Sequence, residues 1–173
     1  MTAHGTVMPE VRYATAEDLD RWRAVRLRSL ADSPDAFGST LEREQGFTEE
    51  EWGERVSPPA VLVLDYQAAP IGLGGGFEVR PGVLLVVAMW LEPTWRGRGL
   101  SRQVLDLVVG WAREHDLDVE LDVPRGNTSA RAAYESFGFV ATGVEEPLRE
   151  GSSLVVERMV LPRDVRRTPG SPR

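Results

Sequence analysis

The sequence predicts an α/β (α+β) fold: a mixed central sheet of about seven strands flanked by about four helices. Three observations carry this expectation. Strand-like and helix-like apolar periodicities alternate along the chain rather than segregating into separate halves. Val83–Leu91 is almost wholly apolar, as a central strand covered on both faces requires. Leu100, Val104, Leu107, Val108 and Trp111 follow at helical spacing, so a strand feeds an amphipathic helix through one short turn.

The remaining elements follow in order. Val11–Ala14 is a short strand. Thr15 is an N-cap with Glu17 and Asp18 in the first turn, where the helix dipole favours acid, and the helix runs to about Leu30 on Leu19, Trp22, Val25 and Leu30. Asp32-Ser33-Pro34-Asp35 breaks it. Thr48 and Glu51 form a capping box that opens a second helix. Ala60–Tyr66 and Ile71–Glu78 are neighbouring strands joined through Gln67–Pro70. Val119–Val123 alternates apolar with acidic residues, Ala130, Ala133, Tyr134 and Phe137 mark another helix, and Phe139–Val144 and Leu154–Val160 are the last strands. The order is β-α-α-β-β-β-α-β-α-β-β. One domain is expected over 10–162, after a loose lead-in at 1–9 and before a disordered polar tail at 163–173.

Composition narrows the chemistry. Of 173 residues 42% are apolar and 27% charged, enough for one ordinary core. There is no cysteine, hence no disulfide, thiolate nucleophile or Cys-based metal site. The two histidines, His4 and His115, are far apart, so no metal is expected. Every basic residue is arginine, and the net charge of −7 disfavours nucleic acid while suiting a cationic substrate. No apolar run reaches membrane-spanning length and Met1–Glu10 lacks the apolar core of a signal peptide, so the expectation is a cytoplasmic protein without membrane contacts.

The densest chemical signal is Trp95-Arg96-Gly97-Arg98-Gly99-Leu100-Ser101, between the apolar strand and the amphipathic helix. Its glycines permit a tight turn with unobstructed N–H groups, and the helix N-terminus adds a positive dipole. A pyrophosphate fits there, with Arg96, Arg98 and Arg102 as charge-assisted partners. The same residues also suit a plain strand-to-helix turn with solvated arginines. The turn matches neither the dinucleotide fingerprint nor the P-loop, which needs a lysine that this chain lacks.

Arg96-x-x-Gly99-x-Ser101 resembles the [RQ]-x-x-G-x-[GA] loop of the GNAT superfamily of N-acetyltransferases, with Ser101 in place of the usual Gly or Ala. Asn127-x-x-Ala130-x-x-x-Tyr134-x-x-x-Gly138-Phe139 resembles the later cofactor-side motif of that superfamily. The likeness spans roughly Val11 to Pro162. It is closest to bacterial members with a Met-Trp strand end, here Met89-Trp90, and a segment like 30–39.

The resemblance implies acetyl-CoA as co-substrate and direct acetyl transfer to an amine through a ternary complex. It assigns the coenzyme A pyrophosphate to the backbone of Arg96, Gly97, Arg98, Gly99, Leu100, Ser101 and Arg102. It assigns the pantetheine arm to Met89, Trp90 and Leu91, in a gap between two splayed strands, with Asn127, Ala130 and Tyr134 completing the site. Tyr134 is the candidate general acid, since a phenol protonated at neutral pH can donate to a leaving sulfur; a half-buried core tyrosine is the other reading. Asn127 either bonds the pantetheine or caps its helix. Asp122 is the first candidate base, at a position where some aminoglycoside-modifying relatives carry Asp; the alternative is a solvated Asp118, Glu120, Asp122 face. Glu92 and the run Glu42, Glu44, Glu49–Glu51 are weaker bases, the run being most simply a solvated helix face. Trp90 and Phe37 are candidates for the acceptor pocket or the core. The acceptor is expected to be a small-molecule amine. A protein or peptide N-terminus or lysine, and a non-catalytic acyl-CoA-binding role, are the alternatives, and a homodimer is left open.

Overall fold

The computed structural model describes residues 8–163, so most of the lead-in and nearly all of the expected tail lie outside the described residues. The chain folds as β1 (Glu10–Tyr13), α1 (Leu19–Asp32), α2 (Leu41–Gln45), α3 (Glu49–Arg55), β2 (Val61–Leu64), β3 (Pro70–Arg80), β4 (Val83–Leu91), α4 (Leu100–Glu114), β5 (Asp118–Pro124), α5 (Thr128–Phe137), β6 (Val140–Pro147) and β7 (Val155–Leu161). The seven strands form one sheet in the order β1-β2-β3-β4-β5-β7-β6. Among the described residues only β4 and β5 pair in parallel, with α4 as their crossover.

Local chemistry sets the element ends. Asp18 accepts the Thr15 N–H at 2.9 Å where a 3-10 turn leads into α1. The Thr48–Glu51 box opens α3, with the two bonds at 2.7 and 3.2 Å. Asn127 caps α5 by accepting from the Ala130 N–H. The five-residue α2 has too short a periodic signature to be read from sequence; Thr40 caps it.

Two cores sandwich the sheet. One gathers Val63, Val86, Val104, Val108, Leu121 and Met159 beneath α4, and the other gathers Trp22, Leu30, Phe37, Trp52, Leu62 and Trp90 beneath α1 and α3. Gly74 in β3 is a forced choice, since a Cβ there would lie 2.4 Å from the Val104 side chain and 2.5 Å from Met89 Sδ. That close approach seats α4 on the sheet and orients Met89. The apolar run of β4 is indeed central, but it is not covered throughout: Leu85, Val87 and Met89 line an open cavity.

Candidate active site

The site begins where two strands part. Parallel pairing of β4 with β5 runs from Val83↔Asp118 to Val86↔Leu121 and then stops, although both strands continue. Just beyond, the β3–β4 register shifts between Leu73 and Gly75, which oppose Trp90 and Val87, and Ala88 takes φ 60°. This is a β-bulge, and it bends β4 away from β5. A non-glycine residue in the left-handed region is strained, a state commonly retained at functional sites. The gap opens at the carboxyl ends of the two parallel strands, where ligand crevices of α/β sheets form. A cavity of about 970 Å³ runs through it, bordered by Ala88 and Met89 on one side and by Asp122, Asn127, Ala130 and Tyr134 on the other.

The turn after β4 lies at the same end. Gly97 and Gly99 have φ of 75° and 77°, with open space where a Cβ would sit, so backbone torsion rather than crowding selects glycine. Among the described residues no acceptor meets the N–H groups of residues 97–102, whereas the next one, of Gln103, already bonds Gly99 O at 3.3 Å. Those unpartnered donors at the N-terminus of a 15-residue helix are the donor set a pyrophosphate requires. With the adjoining gap, the residues fit coenzyme A.

The three arginines of the turn are not equivalent. Arg96 folds back along β4 with its side chain half-exposed: its Nε donates to Leu91 O at 3.0 Å and its Nη2 lies 3.6 Å from Asp32. Asp32 also accepts from Trp90 Nε1 at 3.1 Å. The carboxyl of Asp32 is held below its ordinary value by Ser33 and Trp90 donors and the nearby Arg96. Arg96 therefore buttresses the end of β4, and Trp90 is a core residue tied to α1 rather than part of the cavity wall. Arg98 and Arg102 remain outward, over the rings of Trp95 and Phe137.

Tyr134 lies on α5 with its ring edge-on to Phe139, centroids 6.0 Å apart. Its ring is half-buried and borders the cavity, but the hydroxyl sits in crowded surroundings, and this desolvation pushes the phenol up to about 12. Among the described residues its hydroxyl has no hydrogen-bond partner. Asn127 Oδ1 is used in the cap, leaving its amide NH₂ beside the cavity.

Asp122 borders the same cavity, but both its oxygens accept from Arg158, at 2.5 and 3.1 Å. The pairing register places Arg158 directly opposite Asp122. Arg158 also donates to Glu120 at 2.9 Å, and Glu120 is gripped by Arg80. The alternating acidic face of β5 is thus an ion-pair network and not a solvated face. Glu92, at the far end of β4, lies 3.3 Å from Arg28.

Sequence reasoning missed one group. Glu44, placed in a solvated run, is fully buried and takes a two-point bond from Arg26, Nε and Nη2 each at 2.9 Å. Burial alone would raise this carboxyl, but the guanidinium overrides it and holds it below its ordinary value. The available signal was Arg26 itself, which sits between Trp22 and Leu30 on the apolar face of α1. Glu42, Glu49, Glu50 and Glu51 are exposed, as expected.

The comparisons agree with this geometry. The profile described as Acetyltransferase (GNAT) family matches residues 22–139. Mycothiol acetyltransferase from Beutenbergia cavernae is 30% identical over 129 residues, which cover 71% of this chain and 41% of that protein, so the chain spans less than half the length of this relative. Among solved structures, a GCN5-related N-acetyltransferase from Kribbella flavida superposes with a TM-score of 0.70 at 19% identity, over 90% of this chain and 98% of that one. A Salmonella typhimurium protein described as an acetyltransferase, solved with its cofactor acetyl-CoA, gives 0.73 at 15% identity over 94% and 98%. With the family profile covering the gap, the turn and α5, the chain belongs to the GNAT family of acetyltransferases.

Proposed function

We propose that the protein transfers an acetyl group from acetyl-CoA to the primary amine of a small molecule, directly and within a ternary complex, in the cytoplasm. The observation that carries this is the parting of β4 from β5 at Val86 and Leu121, which puts the bulge, Tyr134 and Asn127 around one cavity. Bound acetyl-CoA supplies an acetyl thioester. The unpartnered amides of residues 97–102 hold its phosphates, and the unpaired edge of β4 at Met89–Leu91 receives the pantetheine arm. With buried Arg26 and Phe37 in its wall, the cavity has the size and concavity of a small-molecule site, which supports a small acceptor.

Tyr134 Oη is the proton donor. A phenol raised to about 12 keeps its proton throughout the neutral and mildly alkaline range, so it stays competent as an acid. Tyr134→Phe is expected to lower kcat about 100-fold while leaving the Kd for acetyl-CoA, measured by calorimetry, within about twofold. Equal losses in both would assign Tyr134 to packing. Because the phenol is raised, the wild-type rate should show no fall attributable to Tyr134 below pH 10.

For the opposite proton, two routes compete. An ammonium can reach Asp122 only by displacing an Arg158 bond, whereas water in the open cavity accepts the proton without that rearrangement. We favour water, with Asp122 fixing Arg158. Asp122→Asn is then expected to cost less than about tenfold in kcat/KM; a loss of about 100-fold or more that recovers as pH rises would make Asp122 the base.

A further inference from the structure

The cavity continues past the bulge to a wall that acetyl transfer leaves unexplained. This wall carries Arg26, Arg43 and Arg55 from three different helices. Arg26 is only 6% exposed, and its two-point bond to Glu44 uses Nε and Nη2, leaving Nη1 buried without a hydrogen-bond partner among the described residues. A buried N–H of a guanidinium without an acceptor is costly, and native structures rarely leave one unless something else supplies the acceptor. Arg43 and Arg55 both approach the Phe47 ring, with their guanidinium carbons 6.0 and 4.3 Å from its centroid. Among the described residues neither has a carboxylate within ion-pair distance.

Of the carboxylates on this wall, Glu44 is bound to Arg26 and Glu51 is engaged in the α3 cap. Glu54 stands beside Arg43, Arg55 and the free edge of Arg26, and the charges of Glu44 and Glu51 are still felt at Arg55. Arg55 is pulled below its ordinary value chiefly by burial; the field of Glu44 opposes this and those of Arg26 and Arg43 add to it. Phe37, beneath Arg26 at 4.6 Å, and Phe47 supply apolar faces beside these donors. The combination suits a planar anion on an apolar body, because a guanidinium fork matches a carboxylate in two parallel bonds.

We infer that this wall binds the carboxylate of the acceptor, so that the substrate class is an amine bearing a carboxylate, an amino acid or a close analogue, and not a polycationic amine. The inference rests on the acetyl-transfer reading for the fate of the amine, but the anion site stands on the arginine wall alone. The wall itself is formally balanced, three arginines against Glu44, Glu51 and Glu54, whereas the whole chain carries −7.

The test separates the two readings. N-acetyl derivatives of glycine, leucine and phenylalanine are titrated calorimetrically against the protein, each beside its primary amide, which has the same shape without the charge. At least one acid should bind about tenfold or more tighter than its amide. In Arg43→Met/Arg55→Met, whose side chains make no ion pair that folding needs, that preference should fall below about threefold with affinity for coenzyme A unchanged. Acids and amides that bind alike, or a preference that survives the double substitution, would overturn the inference. The free amino acids and their amides are then compared in acetyl-CoA thiol release. A charge preference in binding without any thiol release overturns acetyl transfer and leaves the anion site standing. Equal thiol release from acids and amides does the reverse.

Discussion

The turn after β4 and the arginine wall of the cavity are built from different materials. At the turn end the donors are backbone N–H groups, exposed because two glycines take left-handed torsions and because a helix N-terminus has no carbonyls to offer them. At the opposite end the donors are side chains, three arginines brought from α1, α2 and α3 onto one wall. A backbone site needs few particular side chains and recurs with a recognisable spacing. A side-chain site can be assembled from any three places the fold brings together. Within one family the first kind suits a constant ligand and the second a variable one.

The contrast is sharpest at Glu44. Arg26 is fixed in the wall by that carboxylate, so Glu44→Ala leaves a buried guanidinium unpaired, and breaking such a pair costs on the order of 3–5 kcal/mol. The thermal midpoint should fall by roughly 10 °C. Arg26→Met combined with Glu44→Leu should recover most of the loss, because the uncompensated charge is gone. The pH dependence carries the same signature. The Glu44 carboxyl is lowered in the folded state, so its contribution is present above the ordinary glutamate value and lost as pH falls through the lowered one. Glu44→Ala should therefore lose less stability between neutral and acidic pH than the wild type does. An unchanged midpoint in Glu44→Ala would mean that the wall does not depend on this pair.

The matching substitution at the turn end is Gly99→Val. A β-branched residue held at φ 77° is strained by about 1–3 kcal/mol, and relief of that strain rotates the N–H groups out of their shared direction. Affinity for coenzyme A should drop about 10- to 100-fold in calorimetry. Binding of the N-acetyl amino acids at the far wall should stay as in the wild type. If both affinities fell together, the two ends would not be independent and the comparison would fail.

The same difference decides what the sequence reveals. β4 was readable to its end residues, α4 from its apolar spacing, and the turn from its glycines, because each is a local pattern along the chain. The parting of the strands was foreseen only through family resemblance: it arises from the bulge at Ala88, and an alanine carries no mark of a left-handed torsion. Asp122 read as a candidate base or as one of an alternating acidic face, since its partner Arg158 lies on another strand and becomes adjacent only through pairing register. Glu44 and Arg55 lie in a charge-rich stretch whose composition is that of a solvated surface. Only an arginine at helical spacing among apolar residues hinted that a buried ion pair awaited it. Local backbone geometry is encoded locally, whereas a wall made by three helices is encoded by their packing.

The smallest expected effect tests the backbone claim most directly. Ser101 departs from the small apolar residue usual at its place, and it lies in the first turn of α4, half-buried. Among the described residues its hydroxyl makes no hydrogen bond, and its N–H belongs to the unpartnered row. If that row alone holds the phosphates, Ser101→Ala removes nothing that matters and the Kd for coenzyme A should move by less than about threefold. Alanine also favours the helix slightly, so the thermal midpoint should hold or rise. A loss of about tenfold or more would mean that Oγ donates to the phosphate. The turn would then be partly a side-chain site, and the serine a substitution with a function of its own.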